Sequence, residues 1–155
     1  MTWFDKIVLV IAMVLFMEAF AWATHKYVMH GWGWGWHRSH HEPTEGMFEK
    51  NDLYAVTFAG IVIVMFVIGM AREVVWWAAL GITAYGAIYA FVHDIMVHQR
   101  FGMRWVPRSG YPKRLLQAHR LHHAVKGRDG GVSFGFLIAP DPVRLKQTLA
   151  HKAHR

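Results

Sequence analysis

The sequence contains no cysteine, which excludes disulfides, iron–sulfur clusters and thiolate ligands in any compartment. Metal chemistry in this chain has to use nitrogen and oxygen. Charge is scarce as well: 17% of residues are charged against 54% apolar, where a soluble domain holds roughly 25% charged and 45–50% apolar. The Glu-x-x-His pairs of carboxylate-rich di-iron bundles are missing, and so is the His-Glu-x-x-His of zinc proteases. What remains is an apolar chain of 155 residues, long enough for a single domain over 1–155.

Histidine is plentiful. Ten of the twelve fall in four clusters: His25/His30, His37/His40/His41, His93/His98 and His119/His122/His123. On an α-helix positions i, i+3 and i+4 share a face, so each H-x-x-H-H aims three rings one way. In H-x-x-x-x-H the rings stand about 140° apart on an α-helix, too far to chelate one ion from a straight face. Such a pair can flank a space into which another helix projects ligands. Ten imidazoles over two ions gives about five each and leaves a position open for oxygen or water. Imidazole alone admits zinc, copper, iron and nickel. His151 and His154 lie on a basic, helical tail and are expected to be solvated.

Three segments are apolar enough to cross a bilayer: Phe4 to Thr24, Leu53 to Ala71 and Val74 to Val92. A cleavable signal peptide is the rival reading of the first, but Glu18 interrupts its apolar run and cleavage would leave His25 on a loose terminus. Residues 132–139 are too short to span and are expected to dip into the interface or pack on the clusters; a fourth, partial span over 111–139 stays open. Residues 31–36, alternating Gly and Trp, suit a turn at the headgroups, and Phe101 to Ala118 reads as a loop or lid, with helix resuming near Lys113. The fold class is therefore an all-α integral membrane helical bundle with three to four spans.

With three spans, all four clusters fall on one side of the membrane. That side also carries every Lys and Arg of the seventeen except Lys6 and Arg72. The positive-inside rule makes it cytoplasmic. The basic excess is then topological, so no nucleic-acid partner is expected; anionic lipid or an acidic electron-transfer partner fits it better. Carboxylates and tyrosines near the clusters are candidates for orienting the rings: Asp52 and Asp94, either of which can instead cap a helix, and Tyr85 and Tyr89 on one face with His93. Glu18 lies seven residues before His25, about 10 Å deeper by helical rise, where an ionisable group is a functional candidate. Met13, Met17, Phe58 and Met65 are candidates for lining a channel between spans, with plain packing the alternative.

The motifs His25-Lys26-Tyr27-Val28-Met29-His30-Gly31, Trp36-His37-Arg38-Ser39-His40-His41-Glu42-Pro43, Glu49-Lys50-Asn51-Asp52-Leu53, His93-Asp94 through His98-Gln99-Arg100 and His119-Arg120-Leu121-His122-His123-Ala124 together resemble bacterial beta-carotene hydroxylases of the membrane fatty-acid-hydroxylase type, over about residues 20 to 140. The resemblance implies a multi-pass protein of the bacterial inner membrane and a non-haem di-iron monooxygenase of carotenoid biosynthesis. It implies hydroxylation of C3 of each beta-ionone ring, beta-carotene passing through beta-cryptoxanthin to zeaxanthin, with 4-keto rings leading toward astaxanthin. Two iron ions, molecular oxygen, and ferredoxin or a similar electron donor follow, with zinc an acceptable substitute in a purified sample. Rival readings of the same histidines are a carotenoid 4-ketolase, a lipid hydroxylase or desaturase, and a metal transporter. Transport would put polar ligands near mid-bilayer, where these spans have almost none.

Overall fold

A computed structural model describes residues 1–42, 46–102 and 105–153. Among them the regular structure is helical throughout. Helix α1 (Trp3–Ala23) continues without interruption into a π-wound segment, Thr24–Trp32, followed by α2 (Trp34–His41). Helices α3 (Asp52–Gly69) and α4 (Glu73–Tyr89) form a tight hairpin, and α4 too continues into a π segment, Ala90–Val97. Helix α5 (Gly110–His123) and the tail helix α6 (Pro142–Ala153) complete the order.

Three helical runs are long and apolar enough to cross a membrane: Trp3–Trp32, Asp52–Gly69 and Glu73–Val97. Apolar side chains surround them. Ile7, Ile11 and Leu15 of α1, with Ile61, Val64 and Val67 of α3, are exposed, as suits a lipid-facing surface and not a soluble core. Helix α4 packs against both α1 and α3. Its approach to α1 is close because Gly81 has no side chain: a Cβ there would lie 2.6 Å from Met13 Cβ and 2.9 Å from the Val10 carbonyl, the small-residue contact common between membrane helices. Met13 therefore packs at this crossing.

One end of the bundle is tied by Glu73, which accepts from Lys6 (2.6 Å) and the amino terminus (3.1 Å). Trp3 meets Trp77 edge to face beside them, placing aromatic anchors at that end. All ten clustered histidines gather at the opposite end. No fourth helix of spanning length occurs among the described residues. Residues 111–139 instead supply most of α5, too polar to span, and an irregular strap that lies across the clusters.

Two expectations need correction. Helix α5 begins at Gly110, three residues before the expected resumption near Lys113, and takes up the second half of the stretch from Phe101 to Ala118. Gly110, at φ +68°, and Pro112 in the first turn start that helix and do not interrupt it. The Gly-Trp alternation is a turn only at Gly31 to Gly33, and Trp34 already opens α2. The tail is helical as expected; His151 is exposed, and His154 lies outside the described residues.

Candidate metal centre

The π winding decides where the paired histidines point. Bonds from Gly33 N–H to the Val28 carbonyl (2.8 Å) and from His98 N–H to the His93 carbonyl (2.9 Å) span five residues, as in a π-helix. At roughly 4.4 residues per turn, positions i and i+5 fall roughly 50° apart instead of 140°. His25 and His30 thus lie on one face with ring centroids 5.2 Å apart, and His93 and His98 do so at 4.5 Å. The expectation that such a pair is too widely spaced to chelate one ion from a straight face assumed α geometry, which the π winding replaces.

The ten rings separate into two groups. His25, His30, His37, His41 and His122 form one, and His40, His93, His98 and His119 the other. His123 joins the second, its Nε2 2.9 Å from that of His119. Each group draws on helices distant in sequence. In the first, Nε2 atoms of His25 and His37 are 3.1 Å apart, of His37 and His41 3.2 Å, and of His30 and His122 3.2 Å. In the second, His40 and His93 stand at 2.9 Å and His98 and His119 at 3.1 Å. The H-x-x-H-H motif of α2 is shared between the groups, His40 facing one and His37 and His41 the other.

Seven of these rings have their tautomer set. Nδ1–H of His25 donates to the Phe134 carbonyl, of His30 to Arg128, of His41 to Val125 and of His122 to Val132, at 2.7–3.0 Å. Nδ1–H of His37 donates to Asn51 Oδ1 (2.7 Å), of His40 to Glu49 Oε2 (2.9 Å) and of His93 to Asp94 Oδ1 (2.9 Å). Each partner is an acceptor, so each Nε2 carries a bare lone pair. Bare nitrogens converging at about 3 Å repel one another unless a cation sits among them. Two nitrogens roughly 2.1 Å from an ion and at right angles to each other are roughly 3.0 Å apart, so the residues fit a metal with more than four positions at each group. Burial reinforces this by holding the rings neutral: the His37 imidazole is lowered to about 2, His98 to about 3 and His41 to about 4, while His119, His122 and His123 are also lowered.

The remaining candidates take different places. Asp94 holds His93 directly. Asp52 touches no ring; it receives both Arg100 Nη1 and Nη2 at 2.8 Å and the Glu49 N–H at 2.9 Å. Arg100 in turn lies 3.6 Å from Asp94. Tyr89 stacks on His93 with centroids 4.7 Å apart. Tyr85 donates its hydroxyl to Glu18 Oε2 at 2.9 Å. Glu18 also touches no histidine. Its Oε1 accepts the N–H groups of Phe136, Leu137 and Ile138 at 3.0–3.1 Å, gripping the strap whose Val132 and Phe134 carbonyls orient His122 and His25.

Sequence reading missed Asn51, Glu49 and the four carbonyls. Asn51 and Glu49 sit in the motif that carried the resemblance, and their proximity to α2 was the available signal. The carbonyls leave no side-chain trace. Ser133 does leave one in the structure: its φ of +59°, unfavourable for a residue with a side chain, lies between the two carbonyls of the strap that face the rings.

Beside the rings is a largely apolar cavity of about 600 Å³ between α1, α3 and α4, within the range of small-molecule sites. Met17, Phe20, Phe58, Val62, Tyr89 and Phe136 are among its walls. Of the four proposed lining residues, Met17 and Phe58 face it.

Comparison with known proteins follows the same lines. The sequence profile described as fatty acid hydroxylase matches residues 10–141. A beta-carotene hydroxylase of Pantoea ananas is 52% identical over 155 residues, covering 98% of this chain and 87% of its own. One from a Paracoccus species is 55% identical over 143 residues, covering 91% and 88%. A chloroplastic beta-carotene 3-hydroxylase of Arabidopsis thaliana is 37% identical over 132 residues, 82% of this chain and 43% of that one. No solved structure matches the chain. With the family profile spanning most of its length, the chain belongs to the fatty acid hydroxylase family, alongside the bacterial beta-carotene hydroxylases.

Proposed function

We propose that this protein is a membrane beta-carotene 3-hydroxylase with two irons held by the ten clustered histidines. The observation that carries the reading is adjacency: an apolar cavity within the spans shares Tyr89 and Phe136 with the walls of the histidine centre. A lipid-dissolved ring can enter from the bilayer and reach the centre without crossing water. The iron pair, when bound, supplies oxygen activation and the oxidant for the ring C–H bond. Overall, one oxygen atom of O2 becomes the hydroxyl and the other leaves as water, with two electrons from ferredoxin or a similar donor and two protons from solvent.

The protein's own groups perform the positioning. Neutral, tautomer-locked imidazoles present their Nε2 atoms inward, and the apolar walls exclude water from the ring and its neighbouring polyene. The excess of Lys and Arg at the histidine end favours a cytoplasmic site in the inner membrane, where an acidic electron donor docks. Products from a host that makes beta-carotene test the assignment. Beta-cryptoxanthin and zeaxanthin are expected; a C4 ketone, or unchanged carotene, overturns it.

A further inference from the structure

Resting on that reading, we propose that Phe136 is the stop against which the substrate ring seats, and that the Glu18 carboxylate sets where the stop stands. Together they select C3 over C4. The C4 hydrogens are allylic and easier to remove, so an unpositioned ring would be oxidised there; attack one carbon further along requires placement.

Phe136 occupies the junction of cavity and metal centre. It is buried, lines the cavity, and its ring touches both histidine groups: it stacks on His25 at 5.2 Å and 12°, and lies 5.4 Å from His93 and 6.0 Å from His119. Tyr89 braces it edge to face at 4.5 Å. Among the described residues the cavity's walls include Phe136 and Tyr89 and no histidine, so these two side chains stand between a ring in the cavity and the imidazoles. The position of Phe136 is fixed through its backbone, whose N–H is one of three given to Glu18 Oε1, while Tyr85 fixes the other carboxylate oxygen. Gly135 permits the grip: a Cβ there would lie 2.9 Å from Glu18 Oε1. Glu18 is thus a positioning residue that acts through the strap, and its cost within the spans is offset by four donors.

The test measures C4-oxidised against C3-hydroxylated carotenoid, together with iron per chain, for Phe136→Leu, Phe136→Ala, Glu18→Gln and Gly135→Ala in a host that makes beta-carotene. Expected is at least a tenfold rise in the C4 fraction for the Phe136 variants and a smaller rise for Glu18→Gln and Gly135→Ala, with iron retained. Phe136→Tyr, which keeps the aromatic stop, retains C3 selectivity whatever its rate. C3-only product from both Phe136→Leu and Phe136→Ala, or silence from all four variants, overturns the proposal. Loss of iron in Glu18→Gln overturns the part assigned to Glu18. Failure of the unmodified protein to make any C3 product would instead refute the function proposed above.

Discussion

The two histidine groups are equal in number and unlike in what stands behind them. In the first, the five Nδ1–H groups all go to neutral oxygens, four backbone carbonyls and the Asn51 amide. In the second, His40 and His93 are backed by the carboxylates of Glu49 and Asp94. An imidazole whose N–H is held by a carboxylate is the more basic ligand. The second group also contributes most of the rings at an opening of about 320 Å³, where His40, His98 and His123 stand beside His41 of the first group, Glu42, Arg120 and Lys126. One half is backed by neutral oxygens alone and meets the opening only through His41; the other is the richer donor and meets it through three rings.

The largest predicted effect removes a ligand from either half. His122→Ala and His119→Ala should each lower turnover more than about 100-fold, beyond what outer contacts cost, and each should remove one metal per chain by elemental analysis. If either variant kept both metals, the division into halves would be wrong.

Acid should act on both halves together. The folded His37, His41 and His98 are lowered to about 2, 4 and 3 by burial, below the roughly 6.5 of an unfolded histidine. The unfolded chain therefore takes up protons first, and stability falls as pH drops below about 6.5 toward those folded values. Thermal unfolding of metal-free protein from pH 7 to pH 4 should show a declining Tm. A flat or rising Tm would contradict buried neutral rings.

Glu49→Gln is expected to weaken one metal by about 10–100-fold and spare the other, read by competition with a chelator. The smallest effect is the reverse exchange. Asn51→Asp gives the first half a carboxylate and should tighten its metal by less than about tenfold, making the halves more alike. Equal response of both metals to either substitution would erase the distinction between them.

Much of this arrangement was legible before the structure. The three spans follow from unbroken apolar runs, because lipid tolerates little else, and the ten histidines follow from spacing. The partners across space were not legible. His40 leaves its neighbours His37 and His41 for the other half, which depends on the angle at which α2 crosses the centre. The pairing of His25 with His30 depends on π winding, which no residue pattern in the segment announces. Glu18 was singled out as a polar group in an apolar span, but three of its four partners are backbone N–H groups 118 to 120 residues away. Side-chain patterns do not encode such contacts.

The proposed centre holds two metals with ten imidazoles. Its most direct test is the iron content of protein purified from membranes without oxygen. Two iron atoms per chain are expected; one per chain, or none with full hydroxylation retained, would rule the two-metal site out.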